Sequence, residues 1–484
     1  MQIKADIRPK EREQLFQALR AGVVPRAGMR HIQVGRAREI EEIARDIDRI
    51  ALGGTAFRVV VGAYGSGKTF FLNLARAVAQ EKKLVTVSAD LSPDKRIHST
   101  GGQARALLCE LSRSMATRAK PEGGALEPVL QRLVMSARDE AETSGQTLAA
   151  VIDDKLAPVL DLSGGYDAVA AVRHYAASHA DLESQDGAGE GREAALKWLR
   201  AEFATKTEAR SALPVREIPG DAQFWDHLKI LSAIVRAAGY AGLLVTLDEL
   251  VNLYKIPNAQ SRTSNYEEIL RILNDLLQGS AEGIGVMLGG TPEFLMDGRR
   301  GLHSYEALRS RLQENAFGAK GFVDLSGPVL RLQNLTPEDM YVLLQRLRSA
   351  YLSDRAIEID VPDPALMAFM EHCRQRIGAA YFQTPRATIR AFVDLLEIMR
   401  QNPGTAWTDI LSTVQIVADD QAPRSEGEEN AASRSQAAAS TPDAAGGSDR
   451  PAPANDGRTG MAGLRNDSRP TDEELDADLT SFRL

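Results

Sequence analysis

One glycine-rich stretch, residues 62–69 with the sequence GAYGSGKT, constrains the fold more than any other part of the chain. It fits the pattern G-x-x-x-x-G-K-[ST], follows a short β-branched run at 57–61 and precedes a predicted helix. In this strand–loop–helix context, backbone N–H groups and a helix N-terminus surround phosphate groups. The sequence therefore predicts a phosphate-binding loop made by Gly62, Ala63, Tyr64, Gly65, Ser66, Gly67, Lys68, Thr69 and Phe70.

Two side chains of this loop indicate which phosphate compound it binds. The ammonium of Lys68 suits the β and γ phosphates of a nucleoside triphosphate, and the Thr69 hydroxyl suits Mg²⁺. We therefore expect ATP and Mg²⁺ as ligands, with Thr69 as a metal ligand.

A pair of carboxylates, Asp248 and Glu249, follows the apolar run at 243–247. Ligands of open parallel sheets bind at the carboxyl ends of the strands, so both acids should lie beside the phosphate-binding loop. Asp248 is predicted to hold Mg²⁺, and Glu249 is predicted to polarise the attacking water in ATP hydrolysis. A strand that merely ends in solvated acids is the alternative, which the neighbouring loop disfavours.

Five short apolar runs predict an α/β fold with a parallel sheet, because stretches with helical periodicity separate them. The runs lie at 57–61, 84–87, 243–247, 284–288 and 329–332. The stretch between the second and third runs is far longer than one crossover helix needs, which predicts a large helical insertion. Capping residues followed by proline predict three further helices after the sheet, starting at 336–337, 363–364 and 384–385.

These elements give the predicted domain plan. N-terminal helices occupy 1–50, the α/β core 51–100 and 240–333, the helical insertion 101–239, and a C-terminal three-helix lid 334–420. Residues 421–484 are predicted to be a disordered tail because they hold few large apolar residues, with a short docking segment at their C-terminal end as a candidate.

Composition narrows the location and the partners. The net charge of −8 argues against a protein that coats nucleic acid over its whole surface. The two cysteines, Cys109 and Cys373, lack the paired spacing of a zinc site or a disulfide framework. No apolar run reaches the roughly 20 residues that span a bilayer, and no N-terminal signal is recognisable. We expect a cytoplasmic protein with no membrane partner.

Two further positions are candidates for contact with the nucleotide. Thr291 follows the fourth run and is predicted to orient the attacking water as a sensor, or to cap a helix before Pro292, and the two roles are compatible. Arg386 lies in the first turn of the third lid helix, where a cation opposes the helix dipole. A bound phosphate would compensate for this, as would a salt bridge to a nearby acid.

Taken together, the loop, the acidic pair, the five runs and the trailing helices resemble the AAA+ superfamily. A closer resemblance, over residues 10–410, is to the BrxD-type ATP-binding proteins of bacterial BREX phage-defence systems. The phrases that carry it are AGVVP at 21–25, YGSGKTFFL at 64–72, NLYK at 252–255, GTPEF at 290–294 and FQTPR at 382–386.

The resemblance implies more than the motifs do. It implies a strand order 5-1-4-3-2, a homo-oligomer, and a role beside a DNA helicase or another DNA-processing enzyme in anti-phage or anti-plasmid defence. It also implies an arginine finger before the fifth strand, for which we favour Arg311 over Arg309, with a solvated helix face as the alternative for both.

One departure from the AAA+ initiators affects what can be carried over. Only residues 405–420 lie between the third lid helix and the predicted disordered tail, too few for the winged-helix domain that initiators use on DNA, so DNA is a candidate ligand and not an implied one. A nucleotide-gated scaffold or switch with slow turnover, and a DNA-binding loader-type ATPase, are the alternative functions.

Overall fold

The computed structural model describes residues 7–180, 188–313, 324–354, 357–377 and 385–413, which all belong to one compact unit, Met1–Ala422. The predicted tail at 421–484 lies outside the described residues. None of the described helices is both long and apolar enough to cross a bilayer.

The centre of the fold is a parallel sheet of five strands. The strands are β1 (Thr55–Val61), β2 (Leu84–Asp90), β3 (Gly242–Asp248), β4 (Ile284–Gly290) and β5 (Val329–Arg331). Their order is β2-β3-β4-β1-β5, which read from β5 is the 5-1-4-3-2 order that the resemblance implies. β5 is one residue shorter than predicted, although the Leu332 N–H still donates to the Val61 carbonyl oxygen at 2.7 Å.

Helices cover both faces of the sheet, because successive strand residues point to opposite faces and both sets are apolar. The helices of this core are α3 (Ala37–Ala51), α4 (Lys68–Glu81), α13 (Val251–Tyr254), α14 (Ala259–Gln278), α15 (Pro292–Met296) and α16 (Glu306–Arg311). On β1, Val60 belongs to the apolar cluster that contains α3 and α4, whereas Val59 belongs to the cluster that contains α14.

The stretch between β2 and β3 is helical, as predicted. Its helices are α5 (Gln103–Arg113), α6 (Leu126–Ser144), α7 (Leu148–Lys155), α8 (Ala157–Leu160), α9 (Gly165–Ala180), α10 (Ala188–Leu199), α11 (Lys206–Ala212) and α12 (Phe224–Ala237). The apolar periodicity of residues 103–119 predicts one helix over that whole stretch, but α5 ends at Arg113. Ala116 instead pairs with Thr86 through two backbone hydrogen bonds of 2.8 and 2.9 Å, so this segment covers the outer edge of β2.

The helices after the sheet form a unit that is larger than predicted. We call it the helical unit, and among the described residues it contains α1 (Pro9–Arg20), α2 (Met29–Ile32), α17 (Pro337–Tyr351), α18 (Asp363–Ile377), α19 (Pro385–Gln401) and α20 (Trp407–Thr413). A three-helix lid is therefore an incomplete description. Phe16 of α1 packs edge-on against Tyr351 of α17 with ring centroids 5.1 Å apart, so the N-terminal helices are part of the lid.

Candidate functional site

The phosphate-binding loop has the shape that its sequence predicts. β1 ends at Val61, and the next residue, Gly62, donates its N–H to the Gly290 carbonyl oxygen of the adjacent β4 at 3.3 Å. Gly65 and Gly67 have φ angles of 76° and 84°, a left-handed region that favours glycine. α4 begins directly after Gly67, so the unpaired N–H groups of its first turn lie at the loop.

The interior of the loop is lined by polar groups. Lys68 Nζ donates to the carbonyl oxygens of Gly62 at 3.0 Å and Ala63 at 3.1 Å, so its charge lies against neutral acceptors. Ser66 Oγ is buried and has no hydrogen-bond partner within the described part of the chain. Burial lowers the pKa of Lys68, and nearby carboxylates, above all Asp248, oppose this shift. These groups fit a phosphate, whose negative charge would pair with the Lys68 ammonium.

The structure brings the two predicted metal ligands together. Thr69 Oγ1 donates to Asp248 Oδ2 at 2.7 Å, across a sequence separation of 179 residues. The other carboxylate oxygen of Asp248 accepts the Glu249 N–H at 2.8 Å, which orients the carboxylate. Glycine is required at position 289 of β4, because a Cβ there would lie 2.4 Å from Asp248 Oδ1. A hydroxyl and a carboxylate side by side are hard oxygen ligands, so this pair fits Mg²⁺.

Glu249 follows Asp248 directly and lines the same cleft as Lys68. Its φ of 57° lies in the left-handed region, which is strained for a residue with a side chain. Partial burial, followed by the negative charges of Asp248 and Asp90, raises the pKa of Glu249, while Lys68 opposes the shift. A carboxylate with a raised pKa is a stronger base, which is the property required of a group that takes a proton from water.

A cleft leads from the phosphate-binding loop to the helical unit, and its far wall is apolar. The apolar side chains of that wall come from the N-terminal segment and from the segment 335–389: Leu19, Val23, Val24, Pro25, Ile32, Val34, Leu335, Leu343 and Ile389. The predicted residues Phe70 and Arg386 line the cleft as well. Phosphate groups at the loop and a flat base against this wall would fill the two ends of the cleft.

Arg36 is a site residue that the sequence patterns do not indicate. Its guanidinium donates to the Ser66 carbonyl oxygen of the loop and to the Gln333 carbonyl oxygen at 3.2 Å. Burial lowers the pKa of Arg36, although nearby carboxylates oppose the shift. The side chain thereby joins the N-terminal segment, the loop and the chain that enters α17. Its partners are 30 and 297 residues away, so no local pattern could identify them.

The other predicted residues do not line the cleft. Thr291 Oγ1 accepts the Phe294 N–H at 3.4 Å, which confirms the helix-cap role and leaves the sensor role as a prediction. Arg309 and Arg311 are exposed on α16. Arg309 pairs with Glu306 at 3.4 Å, and Arg311 donates to a carbonyl oxygen of its own helix at 3.1 Å. Neither arginine is placed to contact a nucleotide in the cleft of its own chain.

Comparison with family models identifies relatives of the chain. A model described as "BREX system ATP-binding protein BrxC/D" matches residues 7–415. The matched region includes the phosphate-binding loop, the acidic pair and every helix of the helical unit. No curated protein matches the chain significantly.

Replacing Arg36 by alanine is expected to weaken ATP binding about tenfold, because the loop loses a charge-assisted hydrogen bond. Titration with a fluorescent ATP analogue measures the dissociation constant. The matched control Arg38→Ala removes an exposed arginine two residues further on, in the first turn of α3, and should change the constant by less than about twofold. Equal affinities of Arg36→Ala and the parent would contradict the role of Arg36.

Proposed function

Because the chain belongs to the family of BREX system ATP-binding proteins BrxC/D, we propose that it is an ATP-hydrolysing AAA+ component of a bacterial anti-phage or anti-plasmid defence complex. One observation carries the proposal, namely the 2.7 Å hydrogen bond that joins Thr69 of the phosphate-binding loop to Asp248 at the end of β3. The AAA+ assignment is supported by the strand order and by the helical unit that follows the sheet.

In the proposed reaction, the loop and the residues around it bind the phosphates, the metal ion and the rest of the nucleotide. The loop N–H groups and Lys68 bind the phosphates, and the Lys68 ammonium exchanges its carbonyl partners for phosphate oxygens. Thr69 and Asp248 would hold Mg²⁺, which when bound supplies positive charge to the phosphate oxygens. The apolar wall and Arg36 position the rest of the nucleotide and keep the loop in place.

Glu249 is the proposed general base. It lines the cleft, and its raised pKa suits it to orient a water molecule and accept its proton. Thr291 follows β4, the strand between those that lead to Glu249 and to the loop. Among the described residues its oxygen accepts one hydrogen bond, from the Phe294 N–H, which leaves its hydroxyl hydrogen for the same water.

A homo-oligomer completes this proposal. Arg309 and Arg311 are exposed and do not line the cleft of their own chain, so either could reach a phosphate only in a neighbouring copy. We keep Arg311 as the proposed finger. The proposed partner, a DNA helicase or other DNA-processing enzyme, rests on the family resemblance, and the cytoplasmic location stays a prediction from the sequence.

A nucleotide-gated scaffold is the second candidate function. It is favoured by the position of the cleft, whose walls come from both the sheet core and the helical unit. A nucleotide that contacts both would change how firmly they are held together, with or without rapid turnover.

Two variants separate binding from hydrolysis. Glu249→Gln is expected to lower kcat for phosphate release about 100-fold or more, because the general base is lost, while ATP affinity stays within about threefold of the parent. Lys68→Ala is expected to abolish ATP binding, because the phosphates lose their cation. Slow turnover in the parent itself would favour the scaffold, and unchanged hydrolysis by Glu249→Gln would remove that residue from the reaction.

Mixing variants tests the finger. Arg311→Ala is expected to hydrolyse ATP about 1000-fold more slowly at unchanged affinity, because no guanidinium reaches the γ-phosphate of the neighbouring copy. A mixture with Lys68→Ala, which keeps Arg311 but cannot bind ATP, should restore part of the rate. Arg309→Ala serves as the comparison on the same helix. Full activity of Arg311→Ala together with inactive Arg309→Ala would transfer the role to Arg309.

A further inference from the structure

The segment that follows Glu249 has an unusual composition. None of the residues 250–266, LVNLYKIPNAQSRTSNY, is acidic, although Asp and Glu make up 66 of the 484 residues of the chain. It contains Lys255 and Arg262 together with several amide and hydroxyl side chains. Lys255 is exposed, as are residues 257–260 at the turn into α14.

Packing brings two more cations to this segment. Arg299 and Arg300 lie in the loop after α15, and the Arg300 guanidinium is 5.3 Å from the ring centroid of Tyr254. The Ile256 carbonyl oxygen accepts hydrogen bonds from Arg262 at 2.8 Å and from Arg300 at 3.2 Å. We call Lys255, Arg262, Arg299 and Arg300 the basic ledge.

Hydrogen bonds fix the loop that carries Arg299. Asp297 Oδ2 accepts the Tyr254 hydroxyl at 2.7 Å, and Asp297 Oδ1 accepts the N–H groups of Arg299 at 2.7 Å and Arg300 at 3.2 Å. The Tyr266 hydroxyl donates to the Arg300 carbonyl oxygen at 2.6 Å. The backbone is therefore held in place from both sides, while the Arg299 side chain is exposed.

The balance of charge on the ledge is positive. Two carboxylates lie close to Tyr254, those of Asp297 and Glu293. Asp297 is engaged by the Tyr254 hydroxyl and two backbone N–H groups, which also lower its pKa. Glu249 lies close to Lys255 as well, so four cations face three acids, one of which is already engaged. Such a local excess in a chain of net charge −8 concentrates positive potential at one place.

We propose that the basic ledge binds the phosphate backbone of nucleic acid. Lys, Arg, Asn, Gln, Ser and Thr side chains make most protein contacts to phosphate oxygens, and residues 250–266 are rich in these types. Interfaces with proteins depend on large apolar anchors, and among the described residues of 250–266 and 292–300 Met296 is the one exposed large apolar side chain. The chemistry therefore fits a polyanion better than an acidic protein.

The position of the ledge gives such binding a consequence. α13 begins two residues after Glu249 and ends at Tyr254, whose hydroxyl is held by Asp297. A phosphate backbone bound to the ledge would therefore contact the short segment that directly follows the proposed general base. This consequence rests on the proposed function, whereas the binding itself does not require hydrolysis.

Fluorescence anisotropy with labelled duplex and single-stranded DNA at several salt concentrations tests the proposal on the full chain. The double variant K255E/R299E is expected to bind DNA at least tenfold more weakly than the parent at low salt. Two phosphate contacts are lost, so the slope of log affinity against log salt should fall by about 2 for duplex DNA. The affinities for duplex and for single-stranded DNA together show whether the ledge binds one strand or both.

The control variant K10E/R118E makes the same change in net charge at two exposed positions elsewhere and should keep the parent affinity and slope. Lys68→Ala should also keep them, because it removes only the binding of ATP. A parent protein that binds DNA through the ledge but does not hydrolyse ATP would reject the proposed function and leave the ledge proposal standing. DNA affinity that is unchanged in K255E/R299E, or that falls equally in the control, would overturn the proposal. Loss of DNA-free hydrolysis with unchanged DNA affinity would instead assign Arg299 to the nucleotide of a neighbouring copy.

Discussion

The hydrogen bond between Thr69 and Asp248 is the contact on which the rest of the site depends. It joins the first turn of α4 to the end of β3, although β4 lies between β3 and β1 in the sheet. The last residues of β4 must therefore have small side chains, and they are Gly289 and Gly290. A Cβ at position 289 would overlap with Asp248. The contact between the phosphate-binding loop and the acidic pair therefore depends on a glycine that belongs to neither.

The residues that carry chemistry could be predicted because their signals are local. A β-branched run followed by GAYGSGKT fixes a strand, a loop and a helix, and an apolar run ending in Asp248 and Glu249 fixes the end of another strand. Parallel strands then bring these ends to one edge of the sheet. The strand order needed the family resemblance, since periodicity does not give the neighbours of a strand.

The features that could not be predicted depend on contacts between distant parts of the chain. Ala116 covers the edge of β2 although its local pattern favours a helix. α1 packs on α17, and the apolar stripe of α1 does not indicate which helix it contacts. Arg36 reaches Ser66 and Gln333 through the fold alone. The basic ledge could not be predicted either, because its four cations come from two segments that are joined through Tyr254, Ile256, Tyr266 and Asp297.

Together these contacts make the cleft a shared structure of the sheet core and the helical unit. The core supplies the phosphate-binding loop and the acidic pair, and the helical unit supplies much of the apolar wall and Arg386. Arg36 bridges the two, because it holds the loop and also the chain that enters α17. α1 and α2, which pack against α19 and α17, contribute Leu19 and Ile32 to the lining of the cleft.

A crystal structure of the chain with Mg²⁺ and a non-hydrolysable ATP analogue would show whether the phosphate-binding loop and the acidic pair hold one nucleotide. We expect Lys68 Nζ to leave the carbonyl oxygens of Gly62 and Ala63 for phosphate oxygens. We also expect a metal ion about 2.1 Å from Thr69 Oγ1 and beside Asp248. An analogue bound elsewhere, with Lys68 still on those carbonyl oxygens and Asp248 remote from the metal, would contradict both expectations.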